Sequence, residues 1–341
     1  MGSVTDEQTY ASNGRHVLRF CPNTPQGNIV KFDEIPTYLF RLHAPSTLGT
    51  TTTTEVTSLA WSRGKEKEDL FELSPRDAAH RLNAHLWWRC DGCNLMSWSS
   101  SMLFVLQHGF RRHINDFDKP EFKDIKLLIL DTRKFPKGTF IKDLDALDCF
   151  HGNHPELKKL RGLRSREYYF GEYLSQGRLD VAEHCSQTSL QKLLDMGLFE
   201  LCPELGDETE WHRWAKRVVD IRDEKLRDTT GMTDKNEVRT AITMAQACYG
   251  SRWALPVAAM LLSLKPRKHN DSVILGGFRS MFDDGEINSL DMSRMKFDSE
   301  SERMPELKLY EDIMTALNAY TQGYDDTEQL GDRFAHLSVV G

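Results

Sequence analysis

Three separated stretches carry residue types that make one reactive site when read in chain order. Tyr38-Leu39-Phe40-Arg41 ends an apolar, strand-like run on an arginine. Ser97-Trp98-Ser99 runs into Ser100-Ser101-Met102-Leu103-Phe104, a serine-rich turn that opens a helix. Tyr169-Phe170-Gly171-Glu172-Tyr173-Leu174 sets a glutamate in an aromatic, β-prone run that closes at Gly177. A guanidinium is a planar, permanent cation suited to phosphate groups. A serine hydroxyl is both donor and acceptor, and a desolvated carboxylate stabilises positive charge developing in a transition state. Each residue also has a plainer reading. Arg41 reads as a solvated strand end, Ser99 or Ser100 as a helix N-cap, and Glu172 as an outward-facing strand residue.

The order and spacing of these stretches resemble the Arg–Ser–Glu class of NAD-dependent ADP-ribosyltransferases. More narrowly, the chain resembles a family of fungal proteins of unknown function carrying a divergent domain of that kind. In the class, the arginine follows an apolar–aromatic pair on the first strand, as in Leu39-Phe40-Arg41. The serine motif is Ser-Thr-Ser, matched here except for Trp98. The glutamate heads a strand that ends in glycine before an apolar residue, as Glu172 does through Gly177 and Leu179. The fungal group's wider traits are present too: the Ser-Trp-Ser-Ser turn, an apolar strand ending in Asp131-Thr132, Gly-Glu-Tyr-Leu, and Leu255-Pro256-Val257-Ala258 ending near Pro266-Arg267. The resemblance spans most of Tyr38 to Arg267. It implies an α+β fold, two small sheets around an NAD cleft, followed by an all-helical C-terminal region. NAD is then a substrate, consumed by mono-ADP-ribosyl transfer to an unknown protein or nucleic acid, or by hydrolysis as an NAD glycohydrolase. The alternative is a catalytically inactive interaction module that keeps the fold.

The resemblance also implies roles. Glu172 stabilises the oxocarbenium that forms as nicotinamide leaves the ribose, in parallel with glycosidase carboxylates. Arg41 anchors the diphosphate, Ser97 orients Glu172 or the cofactor, and Ser99 braces the turn into the next helix. Leu42, Trp98, Ser99 and Tyr169 lie on the cofactor side, and Tyr168 and Tyr169 read either as core strand aromatics or as stacking partners for nicotinamide or adenine. Phe170 and Arg166 fall on the acceptor side. Many arginine-modifying members place an acid or glutamine where Phe170 stands, and its ring cannot accept a proton. Transfer to arginine is therefore not expected, unless Glu167, five residues upstream of Glu172, substitutes. The basic run Lys158, Lys159, Arg161, Arg164 and Arg166 reads as a solvated helix face, or else as a patch for nucleic acid or an acidic protein surface. Cys90-Asp91-Gly92-Cys93 is a lone CxxC with only Cys149, His151 and His154 as further candidates, so no metal site is expected. Glycine-rich phosphate loops are absent, which argues against a kinase, an ATPase or a dehydrogenase.

Positioning such residues requires a scaffold, and 341 residues suffice for one large domain or two ordinary ones. With 39% hydrophobic and 28% charged residues the composition is globular, and a net charge of −7 gives no general attraction to polyanions. No charged-then-apolar leader opens the chain, and Asp6 breaks the myristoylation pattern. The longest apolar run, Trp253 to Leu264, is too short for a bilayer and contains Pro256. Seven cysteines without framework spacing fit a reducing compartment. The expectation is an intracellular protein, cytoplasmic or nuclear, without a membrane partner.

Local signals divide the chain into an arm over 1–36, an α+β transferase-like domain over 37–195 and a helical region over 196–341. The last boundary falls between Ser186 and Leu205. Thr37 to His43 reads as a strand, and Ala44 to Ser58, with five threonines from Thr50 to Thr54, as an exposed loop. Ser74-Pro75-Arg76-Asp77 starts a helix carrying the stripe Ala78, Leu82, Leu86. A short strand near Leu95-Met96 precedes a helix from about Ser100 to Arg112. Ile125 to Leu130 suits a buried strand. Asp143 to Phe150 and Pro155 to Leu163 suit short helices. Glu167 to Gln176 reads as a strand pairing with Arg178 to Ala182 across Gly177. Farther on, Trp211 to Ile221, Val238 to Ala245, Pro256 to Leu264 and Leu307 to Tyr320 have helical periodicity.

Overall fold

A computed structural model describes residues 17–64, 68–89, 92–227, 231–288 and 290–319. Nine strands are present among them: β1 (Tyr38–His43), β2 (Thr50–Thr51), β3 (Glu55–Thr57), β4 (Leu95–Ser99), β5 (Lys126–Asp131), β6 (Ile141–Lys142), β7 (Glu172–Gln176), β8 (Arg178–Asp180) and β9 (Cys185–Ser189). They form two open sheets, one in the order β6-β7-β4-β1-β5-β9 and one in the order β2-β3-β8. The described residues up to Ser100 pack with Asp124–Gln187 as one compact unit, and Ser101–Lys123 pack with the residues from Thr188 onward as a second. The chain is thus a mixed α+β N-terminal region with two small sheets, followed by an all-helical C-terminal region. No described helix is long and apolar enough to cross a membrane.

In the first unit, β5 carries the continuous apolar run Leu127 to Leu130, as a strand covered on both faces requires. β1 pairs with it at six successive positions, from Tyr38↔Asp131 to His43↔Lys126, and β4 pairs with β7 at five, from Leu95↔Gln176 to Ser99↔Glu172. Between these two ladders β1 and β4 meet at one pair, Phe40↔Ser99. Alternation along the strands separates two cores. Leu39, Met96, Trp98, Leu128, Leu130 and Tyr173 face Val56 and Leu179 of the small sheet. Leu95, Ile141 and Leu174 face the helices Pro75–Leu86, Asp143–Phe150 and Pro155–Arg164.

Local chemistry explains where several elements begin. Ser74 accepts from the Asp77 amide and Pro75 opens the helix, as its sequence requires. The next helix, Met102–Asn115, is capped by Ser101, which accepts from the Phe104 amide. Neither Ser99 nor Ser100 supplies that cap. Ser97 and Ser99 lie inside β4 rather than in a turn. Residues 165–171 are not strand. The helix before them runs to Arg164, and Gly171 takes a left-handed φ of 63° that an extended run cannot absorb.

β8 does not pair with β7. One residue, Gly177, separates them, too few for a hairpin loop. Its φ of 71° turns the chain from the large sheet to the small one, where β8 pairs with β3. A Cβ there would stand 3.2 Å from Leu18 and 3.3 Å from Trp61. The threonine-rich segment contributes β2 and β3, with Val56 fully buried, so β-branched propensity prevails over its loop-like composition. Within the expected arm, Phe20 and Val30 are buried in the helix-side core, while residues 1–16 lie outside the described residues.

The second unit is built from helices that include Met102–Asn115, Trp214–Ile221, Lys235–Tyr249, Ser251–Leu262, Ser272–Met281 and 305–319. Phe110 stacks on Trp211 with ring centres 5.0 Å apart. Arg222 and Glu306 form a buried ion pair, and Ser101 Oγ donates to Glu306 at 2.7 Å.

Candidate active site

Adjacent strands bring Ser97 and Glu172 together on the helix-facing side of the large sheet. Ser97 stands opposite Leu174, and Glu172 opposite Ser99, so both side chains leave the same face. The Ser97 hydroxyl donates to Glu172 Oε1 at 2.7 Å. Two helices complete the neighbourhood. His85, in the last turn of Pro75–Leu86, places Nε2 2.8 Å from Ser97 Oγ, and its Nδ1 lies 3.1 Å from Cys93 Sγ. Arg164, the last residue of Pro155–Arg164, gives Nη1 to both Glu172 Oε2 and Asp143 Oδ2.

Electrostatics follow from this crowding. The side chains of Arg164, Glu172 and Asp143 are 13%, 14% and 0% exposed, so one guanidinium serves two nearly dry carboxylates. Burial pushes the Asp143 carboxyl well above the usual carboxylate range, against the pull of Arg164 and with the help of the Glu172 charge. Burial alone would lower the Arg164 guanidinium, but Glu172 and Asp143 outweigh it and the net shift is upward. Desolvation pushes the His85 imidazole down to about 4. The Glu172 charge opposes that shift, and Arg41 and Arg164 add to it. His85 is therefore a neutral ring at pH 7.

Arg41 does not share the face of Ser97 and Glu172. It alternates with Phe40, the partner of Ser99, and so leaves β1 toward the small sheet. There its guanidinium lies 5.8 Å from the Trp98 ring centre and its Nε donates to Thr51 Oγ1 at 3.0 Å. Its Nη1 still reaches the main chain of the site, donating to the Ser97 carbonyl at 2.8 Å. The residue is 7% exposed.

The remaining expected contributors divide. Leu42 is half-buried on β1 opposite Leu127. Trp98 is a buried core residue whose indole N–H donates to Ser175 Oγ at 2.8 Å. Ser99 is buried and donates to the Phe170 carbonyl at 2.8 Å, bracing the residues before Glu172 rather than a helix start. Tyr169 is buried, 1% exposed. Phe170 is half-buried with its ring roughly perpendicular to that of Tyr168, and Arg166 is exposed. The basic run is mixed. Lys158 and Lys159 are exposed and Arg161 pairs with Asp148 at 2.5 Å, whereas Arg164 turns inward to Glu172. Cys90 lies outside the described residues, and no metal-binding cluster of His, Cys, Asp and Glu occurs among those described.

His85, Asp143 and Thr51 were not among the site candidates read from the sequence, and Arg164 entered only as a member of the basic run. Two of them carried a signal. Leu157 and Leu160 are buried at the spacing that leads to Arg164, and Ala78 and Leu82 at the spacing that leads to His85. A polar residue continuing a buried helical stripe marks an inward-facing group, even inside a run of charge.

Compared with known proteins, residues 34–184 match a family model described as a domain of unknown function (DUF7587). That match covers Arg41, His85, Ser97, Asp143, Arg164 and Glu172. No curated protein and no solved structure matches the chain.

Proposed function

We propose that the protein consumes NAD, as a mono-ADP-ribosyltransferase or an NAD glycohydrolase, with Glu172, Ser97 and Arg41 as its working residues. In this reaction the bond between ribose C1′ and the nicotinamide nitrogen breaks, and its electron pair leaves with neutral nicotinamide. The oxocarbenium left behind is captured by water, or by an acceptor nucleophile, which then loses a proton. Glu172 stabilises the cationic ribose, and the low-dielectric surroundings make that charge count for more than it would in water. Ser97 holds the carboxylate. Arg41 supplies charge for the diphosphate, which requires its guanidinium to leave Thr51 and the small-sheet face for the ligand. The observation that carries this reading is the 2.7 Å bond from Ser97 to Glu172 across neighbouring strands, with Arg41 on the Ser97 carbonyl.

A second reading, an inactive interaction module of the same fold, draws on a different observation. Arg41 is already engaged on the opposite face, and Glu172 Oε2 is occupied by Arg164. Labelled NAD incubated with the purified protein, alone and with cell lysate or nucleic acid, separates the readings. Free nicotinamide without a labelled acceptor identifies a glycohydrolase, and label on a macromolecule a transferase. No turnover under any condition leaves the interaction module. Small guanidines such as agmatine are expected to stay unlabelled, because Phe170 offers no carboxylate to activate a guanidinium that stays protonated at neutral pH. Clear agmatine labelling would contradict that expectation and direct attention to Glu167.

A further inference from the structure

The direction of the hydrogen bonds around Ser97 is fixed by counting protons. A serine hydroxyl has one proton and two lone pairs, and a carboxylate paired with a guanidinium only accepts. With Arg164 on Oε2, Glu172 Oε1 must accept the Ser97 proton at 2.7 Å. The second contact of Ser97 Oγ, to His85 Nε2 at 2.8 Å, then needs the imidazole as donor. A neutral ring carries one N–H, so Nδ1 is an acceptor, and Cys93 Sγ at 3.1 Å is the donor in reach. The Leu95 carbonyl lies farther from that thiol, at 3.9 Å. The donors run in one direction, Cys93 to His85 to Ser97 to Glu172.

We propose that His85 is a positioning residue: its Nε2–H makes the Ser97 hydroxyl an obligate donor to Glu172. Without that donor the Ser97 hydroxyl is held by Glu172 alone, and the pair loses one of its two restraints. The catalytic consequence rests on the assignment of Glu172 to NAD cleavage, whereas the run of donors does not.

The first test is the imidazole nitrogen NMR spectrum of the full chain labelled with 15N-histidine, at pH 7. The Nε2–H tautomer is expected for His85, assigned by its loss in His85→Gln, and the Nδ1–H tautomer overturns the proposal. Kinetics supply the second test. His85→Leu should lower kcat for nicotinamide release roughly tenfold with KM little changed, the size of one hydrogen bond to a charged chain. His85→Gln, whose amide N–H replaces Nε2–H, should recover most of the loss. A Leu variant as fast as wild type, or a Gln variant as slow as the Leu variant, overturns the positioning role. A wild-type protein that never releases nicotinamide removes the NAD reading alone, and the tautomer then decides this inference.

Discussion

Glu172 is held at both oxygens, by Ser97 at Oε1 and by Arg164 at Oε2, and this restraint is what a preorganised electrostatic group needs. Glu172→Gln keeps the shape and the bond from Ser97 but removes the charge, while Asp143 still holds Arg164. The expected result is intact folding and NAD binding, with nicotinamide release slower by about two to three orders of magnitude. Equal initial rates in the two proteins would remove Glu172 from the chemistry. His85 makes a separate prediction about pH. Its folded ring is pushed down to about 4 from an ordinary 6.5, chiefly by desolvation and despite the Glu172 charge. The unfolded chain therefore takes up the proton first. The neutral ring's contribution to stability is complete above about pH 6.5 and is lost as pH falls toward about 4. Asp143 has the opposite sign, since its raised carboxyl favours the fold as pH falls, but it is present in the wild type and in His85→Gln alike. Urea unfolding at pH 7, 5.5 and 4.5 should show wild type losing stability relative to His85→Gln at each step down. A constant difference across the three would mean that the ring is not desolvated.

At the scale of elements, the large sheet is two firm ladders joined at Phe40↔Ser99, and Arg41 bridges the join. Its Nη1 serves the Ser97 carbonyl where continued pairing of β1 with β4 would otherwise supply a backbone donor. Arg41→Ala is therefore expected to cost about 1–3 kcal/mol, the size of a part-buried hydrogen bond from a charged donor, as well as to raise KM for NAD. Unchanged urea stability with a raised KM would assign Arg41 to the ligand alone. Elements set by local chemistry were legible in the sequence: the apolar run of β5, the Ser74-Pro75 helix start, and the helices Asp143–Phe150 and Pro155–Arg164. What was not legible depends on pairing. Alternation within β1 and β4 can be read directly, but their relative register is set by tertiary contact, and a slip of one residue exchanges the faces. Arg41 and Ser97 therefore look equivalent in sequence and lie on opposite sides of the sheet. The β7–β8 hairpin expected across Gly177 fails for a related reason, because a single residue cannot reverse the chain within one sheet.

At the scale of the whole molecule, chain order and spatial grouping part company. The sequence suggests one cut near residue 195, between strands and helices. In the folded chain the helix Met102–Asn115 belongs with the residues from Thr188 onward, although strands stand between them in sequence. The apolar stripe of that helix announces a buried face without saying what covers it. Its partners are Trp211, stacked on Phe110 at 5.0 Å, and Glu306, which accepts from the capping Ser101 and pairs with buried Arg222. A fragment ending at residue 195 would keep Phe110, fully buried in the intact chain, and strip away Trp211 and Glu306. Exposing one such aromatic costs about 1.5–3 kcal/mol, a large part of the stability of an ordinary domain. The 37–195 fragment is therefore expected to bind hydrophobic dye and to unfold without a sharp transition, while the full chain unfolds cooperatively. A fragment with a sharp urea transition and no dye binding would show that 37–195 folds by itself, and that the helix Met102–Asn115 does not need the partners that cover it in the intact protein.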